Sequence, residues 1–320
     1  MRIANLIEAG ACHVNGAVAR AGYHILAGDA IDVSFDDGAP TSMSPEPIPL
    51  EVIYEDEHLI VVVKPAGMLV HPTLSVKTGT LANALAYHLN KSRIEDGGWT
   101  IEDLALGRPE PIDPRSSILN PQPVTRPGLV HRLDRATSGL IVVAKTPRAL
   151  TVLSRHFRKR LVEKRYLALT RGGVKDEAGS INAPIGRDNE QRPRWRVMET
   201  GKSAQTRYKI LERLRGATLL ELEPVTGRTN QLRIHCAHIG HPIVGDDVYC
   251  GLQISDCGLK DEQDQGQAGE SALHGPQHAV RLCLHAWKLG FHHPAGGDWM
   301  EFVAPVPDEF NAVIRQFRPI

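Results

Sequence analysis

The pattern of apolar and polar positions along the chain predicts a protein that mixes strands and helices. Short apolar runs bounded by turn residues, and stretches that alternate, are typical of strands. They predict strands at 50–54, 59–63, 141–145, 166–169, 217–223, 282–291 and 300–303. Helical propensity and capping residues predict helices at 80–89, from Thr146 onwards and at 305–317. The main part of the chain is therefore expected to form a sheet with accompanying helices.

The helix that begins at Thr146 has the clearest amphipathic pattern. Thr146 and Pro147 are a typical N-cap and first-turn pair. Its apolar stripe consists of Leu150, Leu153, Phe157 and Leu161. The other face is basic and carries Arg155, Arg158, Lys159 and Arg160, followed by Lys164 and Arg165. Such a face is more often solvated than functional, but it also suits contacts with phosphate groups.

Residues 1–40 predict a small separate unit. Ile3, Leu6 and Ile7 have helical spacing, and Gly10 is placed to end that helix. The Asn-Gly pair within 14–18 is a strong signal for a hairpin turn, and a further turn and strand follow. Taken by itself, this pattern is equally consistent with a packing module and a binding module.

Three stretches lack such regularity. Residues 41–49 are rich in proline and small polar residues, which predicts a linker. Residues 90–127 hold several prolines and glycines, and residues 252–279 are rich in Asp, Glu, Gln and Gly without an apolar period. We expect both to be inserted loops in a main domain that spans 50–320.

Composition and charge narrow the class of protein only slightly. The chain has 320 residues, of which 42% are hydrophobic and 23% charged, as in ordinary soluble globular proteins. The chain contains no run of ~18 apolar residues, so no membrane span is predicted. The five cysteines contain no C-x-x-C pair, which favours reduced thiols in the cytoplasm. The net charge is +0, so any interaction with nucleic acid must rest on local basic patches.

The stretch 128–140 carries the most concentrated chemistry. The basic side chains of His131, Arg132 and Arg135 surround the carboxylate of Asp134. Neighbouring positive charge lowers the pKa of a carboxyl group, so we expect Asp134 to stay ionised at neutral pH. An ionised carboxylate is a candidate nucleophile or base. From spacing alone, a structural ion pair is an equally good interpretation.

The string His-Arg-Leu-Asp-Arg-Ala-Thr-Ser-Gly-Leu at 131–140 resembles the signature of the RluA-type pseudouridine synthases, which include the RluC- and RluD-like enzymes of large-subunit ribosomal RNA. The resemblance implies that Asp134 is the catalytic residue. It also implies an α+β fold with a mixed, largely antiparallel sheet, flanking helices and a central cleft. In the N-terminal unit, Leu-Ile-x-x-Gly, Val-Asn-Gly and Ala-Gly-Asp-x-Ile resemble the second half of an S4 RNA-binding domain.

Two further motifs extend the resemblance. The string Glu-Lys-Arg-Tyr-Leu-Ala at 163–168 is similar to the family's lysine–tyrosine motif, which implies that Tyr166 stacks on the target uracil and helps to deprotonate it. A tyrosine that packs in the core is the alternative. The string at 227–235 is similar to Gly-Arg-Thr-His-Gln-Leu-Arg-x-His, in which Arg233 would form a salt bridge to Asp134. Asn230 replaces the histidine that is common there, and we expect that activity does not depend on it.

The resemblance also assigns residues around the target nucleotide. Arg132 would enter the space that the uridine vacates. His131 would shape the loop that contains the motif at 131–140, which we call the motif loop. Leu133 and Ile234 are expected to wall the base pocket. The candidate RNA-binding residues are His131, Arg132, Arg135, Arg158, Lys159, Arg160, Arg228 and Asn230.

A cluster of His235, Cys236, His238 and His241 has a spacing that suggests zinc. Zinc ligands must converge in three dimensions, and His235 already belongs to the family motif, so a chance cluster is the favoured interpretation. The sequence has no glycine-rich phosphate loop and no dinucleotide fingerprint. We expect neither a metal nor a cofactor.

The sequence as a whole predicts an enzyme that isomerises uridine to pseudouridine in structured RNA. The S4-like segment favours large-subunit ribosomal RNA, with tRNA as the alternative substrate. The rival hypotheses are a non-catalytic RNA-binding protein of ribosome assembly and a metal-dependent hydrolase built on the histidine cluster. We expect a cytoplasmic monomer that binds RNA and does not associate with a membrane.

Overall fold

The computed structural model describes residues 7, 10, 12–20, 22–33, 44–91, 126–190, 195–250 and 281–318. The predicted insertions at 90–127 and 252–279 lie almost entirely outside these residues, as does most of the helix that was predicted before Gly10. Those expectations stay predictions. Residues 44–49 of the expected linker form neither helix nor strand.

The N-terminal unit is a three-stranded antiparallel sheet. Its strands are β1 (Cys12–Val14), β2 (Ala17–Val18) and β3 (Ile31–Val33), in the order β2-β1-β3. Asn15 and Gly16 form the turn between β1 and β2 with φ values of 51° and 81°. Positive φ at both central positions is what a type I′ hairpin turn requires, so the predicted hairpin is confirmed. The S4-like character of the unit stays a prediction.

The main domain is built on one sheet of ten strands. Along the chain, the strands of this domain are β4 (Glu51–Glu55), β5 (Leu59–Lys64), β6 (Gly128–Leu129), β7 (Ser138–Ala144), β8 (Glu163–Arg171), β9 (Ala178–Asn182), β10 (Ile185–Arg187), β11 (Trp195–Val197), β12 (Gln205–Leu214), β13 (Ala217–Pro224), β14 (Leu284–His292) and β15 (Trp299–Val303). The sheet has the order β4-β5-β7-β14-β8-β13-β12-β9, with β6 paired to β7 and β15 paired to β14. β10 and β11 form a separate hairpin.

In the main domain, the described residues form the helices α1 (Leu81–His88), α2 (Pro147–Lys159), α3 (Gln231–His238) and α4 (Asp308–Gln316). Among the strand pairs that the structure describes in the ten-stranded sheet, only β7 and β14 run parallel. This mixed, largely antiparallel sheet with its helices confirms the predicted α+β fold. No helix in the described ranges is long and apolar enough to cross a membrane.

The centre of the sheet is buried on both faces. Val61 packs in one cluster with Leu153 of α2, and Ile60 packs in another with Leu81 of α1. Strands that are covered on both faces read as continuous apolar runs rather than as alternating ones. The run at 59–63 therefore reflects two apolar layers, one on each side of the sheet.

Threonine residues begin two of the helices as predicted. The Thr80 side chain and Asn83 form a capping box at the start of α1, and Thr146 caps α2 with Pro147 in its first turn. The end of α2 differs from the prediction. Arg160 takes the left-handed conformation with φ 57° and ends the helix, so Leu161 lies outside the apolar stripe and is exposed.

Gly139 sets the position of the loop that precedes β7. Its φ is 121°, and a Cβ added there would lie 2.2 Å from the carbonyl oxygen of Ala286 on β14. Only glycine permits both that φ and that close approach of two backbones. The motif loop is thereby held directly against the central strands.

Candidate active site

A cleft of about 460 Å³ opens between the β6–β7 loop, the start of β8 and the turn that connects β13 to α3. It is lined by residues 131–134, Thr137, Phe157, Arg158, Arg160, Lys164, Tyr166, residues 224–233 and Leu284. Six of these lining residues are Lys or Arg, and one is a carboxylate, Asp134. The fold thus brings the three sequence motifs together around one cavity.

The side chain of Asp134 is partly buried, and its carboxylate forms no hydrogen bond or ion pair with any residue in the described part of the chain. Burial raises the pKa of this carboxyl group, and the positive charges of Arg233, Arg132 and Lys64 offset the rise only in part. The expected lowering of the pKa is therefore wrong, because desolvation outweighs the neighbouring cations. A carboxylate with a raised pKa is a stronger base, which suits Asp134 to the role of a catalytic base or nucleophile.

The direct partner of Arg233 is Asp246 rather than Asp134. Arg233 Nε lies 2.8 Å from Asp246 Oδ2, and its Nη2 lies 2.7 Å from Oδ1. The backbone N–H groups of Val248 and Tyr249 also donate to Asp246. Because Asp246 occupies the guanidinium fork in both positions, the predicted salt bridge from Arg233 to Asp134 does not form. Arg233 affects Asp134 only through its positive charge, which lowers the pKa of the Asp134 carboxyl group.

Tyr166 lies on β8 and lines the cleft while part of its ring packs against the core. The two interpretations of this tyrosine therefore each describe a part of its position. Burial, and then the negative charge of Asp134, raise the pKa of the phenol. The hydroxyl group stays protonated at neutral pH and is available as a hydrogen-bond donor in the cleft.

His131 is held by the fold. The backbone N–H of Val142 donates to its Nε2 at 3.0 Å, and its ring stacks on Phe157 at 4.5 Å between centroids. Burial and the charge of Lys164 lower the pKa of the imidazole to about 3. The neutral ring is placed to shape the motif loop, as expected, but at neutral pH it is not a cation that attracts phosphate.

The candidate RNA-binding residues fall into two groups. Arg132, Arg158, Arg160, Arg228 and Asn230 line the cleft, whereas Arg135 and Lys159 do not. Arg135 instead donates from Nε to the carbonyl oxygen of Gly67 at 2.9 Å, which ties the motif loop to the turn after β5. Lys159 is exposed near the end of α2. Contact of these residues with RNA stays a prediction.

The two residues that were expected to wall the base pocket point in different directions. Leu133 lines the cleft and is buried. Ile234 packs away from the cleft in a cluster with Tyr249, so its assignment to the pocket is wrong. Residues two positions apart on a helix do not share a face, and in α3 it is Leu232 that lines the cavity.

Lys64 is a site residue that the sequence analysis missed. Its Nζ donates to the carbonyl oxygens of Pro65, Met68 and Arg135 at 2.7, 2.9 and 3.2 Å. Burial lowers the pKa of its amine to about 7, against the opposing effect of Asp134. The signal was a lysine that directly follows five apolar residues. Lys64 joins two loops beside the cleft and brings a positive charge near Asp134.

The histidine cluster does not have the geometry of a metal site. His235 Nδ1 lies 2.9 Å from Thr206 Oγ1, and its Nε2 lies 3.0 Å from the carbonyl oxygen of Ala183. Both ring nitrogens are therefore engaged by the fold. Cys236 is buried, which raises the pKa of its thiol to about 12. Within the described ranges, no three His, Cys, Asp or Glu side chains are grouped to hold a metal ion.

Comparisons with known proteins agree with this geometry. A family model described as RNA pseudouridylate synthase matches residues 58–238, which include Asp134, Tyr166 and Arg233. Ribosomal large subunit pseudouridine synthase D of Pseudomonas aeruginosa is 36% identical over 310 residues, which cover 97% of this chain and 84% of that protein. An uncharacterised RNA pseudouridine synthase of Aquifex aeolicus is 37% identical over 314 residues, with 97% and 87% covered.

Solved structures show the same relationship. Human RNA pseudouridylate synthase domain containing 1 superposes with a TM-score of 0.54 at 25% identity, over 81% of this chain and 84% of that chain. Human RNA pseudouridylate synthase domain containing 4 superposes with a TM-score of 0.57 at 24% identity, over 83% of this chain and 92% of that chain. This second match supports the fold. The chain belongs to the RNA pseudouridine synthase family.

Proposed function

We propose that the protein isomerises uridine to pseudouridine in large-subunit ribosomal RNA, with Asp134 as the catalytic carboxylate. The observation that carries this proposal is the charge distribution in the cleft. In a chain with a net charge of +0, six Lys and Arg residues line a cavity whose one carboxylate has no partner among the described residues. The cations suit the binding of a polyanionic substrate. The unpaired carboxylate of Asp134 is suited to act on that substrate as a nucleophile or base.

Asp134 begins the reaction on the ribose of the target uridine. It either attacks C1′ as a nucleophile or removes the proton at C2′ as a base, and in both routes the C1′–N1 bond breaks. The uracil then rotates, and C5 bonds to C1′. In the nucleophilic route the bond between Asp134 and C1′ breaks at this step, and in the other route C2′ regains the proton that Asp134 removed. The proton of C5 is then lost while N1 gains one. The product is an isomer of the substrate, so the reaction needs no net oxidant, reductant or phosphate donor.

The uridine must leave its base stack to reach a buried carboxylate. The cleft volume of about 460 Å³ falls within the range of ~300–1,000 Å³ that is usual for sites of small ligands. Tyr166 lines this space, where its ring can stack on the uracil and its protonated hydroxyl can donate a hydrogen bond. Arg132 is exposed at the rim, where it can enter the gap that the base leaves.

Large-subunit ribosomal RNA is the substrate best supported by the relatives. The Pseudomonas aeruginosa relative carries that substrate in its name and aligns with nearly the whole chain. The N-terminal unit, which resembles part of an S4 domain, would add contacts with the same RNA. We further propose that the protein acts as a monomer in the cytoplasm.

The test is release of tritium from transcripts that contain 5-tritiated uridine. We expect wild-type protein to release tritium from large-subunit ribosomal RNA and the Asp134→Ala variant to release none. Asp247→Asn is the matched control, because Asp247 is an exposed carboxylate that does not line the cleft, and it should leave release unchanged.

Other outcomes would change the proposal in defined ways. Release from tRNA alone would move the substrate, and undiminished release by the Asp134→Ala variant would overturn the assignment of the catalytic residue. Binding of RNA without release from any transcript would favour the non-catalytic RNA-binding protein.

A further inference from the structure

A second cavity adjoins the catalytic cleft and has no part in the mechanism above. Its volume is about 390 Å³. It is lined by residues 160–164, Phe157, Arg207, residues 223–225 and Trp299. Phe157, Arg160, Lys164, Pro224 and Val225 line both cavities and form the wall between them. The two cavities are therefore neighbouring compartments along one surface of the protein.

Lys164 lies in the shared wall without a partner. Its amine makes no hydrogen bond or ion pair with the residues that the structure describes, although it is partly buried. Burial and the charge of Arg160 lower the pKa of this amine. A cation that is withdrawn from water without a counter-ion is costly, so this position is suited to an anion that arrives with the substrate.

The spacing along β8 relates Lys164 to the catalytic centre. Lys164 and Tyr166 are two residues apart, so their side chains leave the same face of the strand. Two strand residues span about 6–7 Å, which is similar to the step from one nucleotide to the next in an extended strand. If the target base lies beside Tyr166, the adjoining phosphate reaches Lys164.

Trp299 forms an aromatic wall at the far side of the second cavity. A Cβ added to Gly290 would lie 2.5 Å from its Cζ2, so the indole rests directly on the backbone of β14. The ring of His292 meets it edge-on at 5.1 Å between centroids. The indole is nevertheless 44% exposed. A fixed and partly open aromatic ring beside cations is typical of a platform on which a nucleobase stacks.

The remaining charges of the second cavity are compatible with RNA. Its lining residues include three cations, Arg160, Lys164 and Arg207, and two carboxylates, Glu163 and Glu223. Glu223 is paired with Arg165 at 2.6 Å and with Arg207 at 3.5 Å, so its charge is largely compensated. Glu163 is exposed to solvent, where water screens it.

We propose that the second cavity binds the nucleotide that adjoins the target uridine in the RNA chain. Lys164, together with Arg160, holds the phosphate between the two nucleotides, and Trp299 stacks on the neighbouring base. This inference rests on the proposed function, since it takes the catalytic cleft as the site of the target uridine. The enzyme would thus bind two successive nucleotides, one in the catalytic cleft and the other in the second cavity.

The first test separates binding of the neighbour from catalysis. We expect Trp299→Ala to raise KM about tenfold, the effect of losing one base-aromatic stack, and to leave kcat almost unchanged. Trp299→Phe should restore most of the affinity because it restores an aromatic face. Val303→Ala is the control, since Val303 is an exposed residue of the same strand that does not line the cavity.

The second test removes the base instead of the platform. The substrate is the shortest stem-loop of large-subunit ribosomal RNA that the wild-type protein modifies, made with an abasic nucleotide on either side of the target in turn. One of the two substrates should raise the KM of the wild type about tenfold and leave that of Trp299→Ala unaffected. Equal losses for both proteins, or no loss for the wild type, would overturn the proposal.

Salt dependence tests the phosphate contact. We expect Lys164→Gln to lower the slope of log affinity against log salt by about 0.7, the share of one phosphate on a single strand. Lys175→Gln, an exposed lysine beyond the other end of β8, should leave the slope unchanged. An unchanged slope in Lys164→Gln would remove Lys164 from the proposed contact.

Failure of the proposed function would be visible separately, because the wild type would then release no tritium from any transcript. In that case, fluorescence anisotropy with labelled oligouridylate still tests the second cavity. Weaker binding by Trp299→Ala than by Val303→Ala would support the stacking site, and equal binding would reject it.

Discussion

Two aspartates beside the cleft, Asp134 and Asp246, show opposite solutions to the burial of a carboxylate. Asp246 accepts four hydrogen bonds, two from the Arg233 guanidinium and two from backbone N–H groups. Asp134 accepts none at its carboxylate from the described residues, and its pKa is raised. The first arrangement satisfies the charge fully, and the second leaves it exposed to whatever enters the cleft.

The difference between the two aspartates indicates that Asp246 has a structural role and that Asp134 has a catalytic one. A satisfied buried ion pair fixes the position of its partners, and here it holds Arg233 at a set place beside the cleft. An unpaired, partly buried carboxylate such as that of Asp134 lowers stability but stays available to react with a substrate. Functional sites commonly keep such unfavourable groups where a substrate needs them. The two residues should therefore respond to substitution in opposite ways.

The largest expected effect is on activity at Asp134. Asp134→Asn keeps the size of the side chain and removes the charge, so we expect tritium release to fall by at least about 10²–10⁴-fold, the usual contribution of a catalytic acid or base. The free energy of unfolding at neutral pH should stay the same or rise, because the substitution removes a partly buried charge that has no ion-pair partner among the described residues. A large loss of stability would show that Asp134 is a structural residue.

The second largest effect is expected on stability at Asp246. Asp246→Asn leaves the Arg233 guanidinium buried without its counter-ion, which typically costs about 3–5 kcal/mol. Urea denaturation of the two variants and the wild type measures the contrast directly. Activity of the folded Asp246→Asn variant should also fall, because Arg233 is then free to move. If Asp246→Asn were as stable as the wild type, the contrast between the two carboxylates would be lost.

Local signals account for the parts of the fold that the sequence predicted well. The Asn15-Gly16 turn and the helix starts at Thr80 and Thr146 depend on neighbours within a few residues, and all three are confirmed. Helix α3 was not predicted, because residues 231–237 are all buried and leave no polar face from which a period can be seen.

The candidate site was predicted in its members but not in its contacts. The motifs at Asp134, Tyr166 and Arg233 do converge on one cleft. The pKa of Asp134 depends on burial, which no local pattern reveals, so its direction was predicted wrongly. Likewise, Arg233 had two carboxylates available, and the choice of Asp246 depends on the turn after α3. Contacts between distant segments require the folded structure.

A smaller effect concerns the pH dependence of stability at Asp134. Its folded pKa is raised, so the folded state binds more protons than the unfolded state as pH rises above the ordinary carboxyl value. Wild-type stability should therefore fall as the pH rises through the folded pKa, and any advantage of Asp134→Asn should vanish in acid. Chemical denaturation of both proteins across a pH series measures this difference. A stability difference that does not change with pH would contradict the raised pKa.

The smallest effect is expected at Asn230, which links the cleft to the segment that holds Asp246. Asn230 has φ 53°, and its Nδ2 donates to the hydroxyl of Tyr249 at 3.1 Å. Asparagine and histidine are both enriched in this left-handed conformation, whereas β-branched residues are not. Asn230→His should therefore keep activity within a few-fold and change stability by less than about 1 kcal/mol, while Asn230→Val should cost about 1–3 kcal/mol of backbone strain.

Tritium release and urea denaturation of Asn230→His and Asn230→Val test this expectation together. The backbone conformation, rather than the imidazole, would then be the requirement that histidine and asparagine share at this position. A large gain in activity from Asn230→His would instead assign the imidazole a chemical role. In that event the cleft would contain a second group whose protonation matters beside Asp134, and the contrast with Asp246 would no longer describe the site completely.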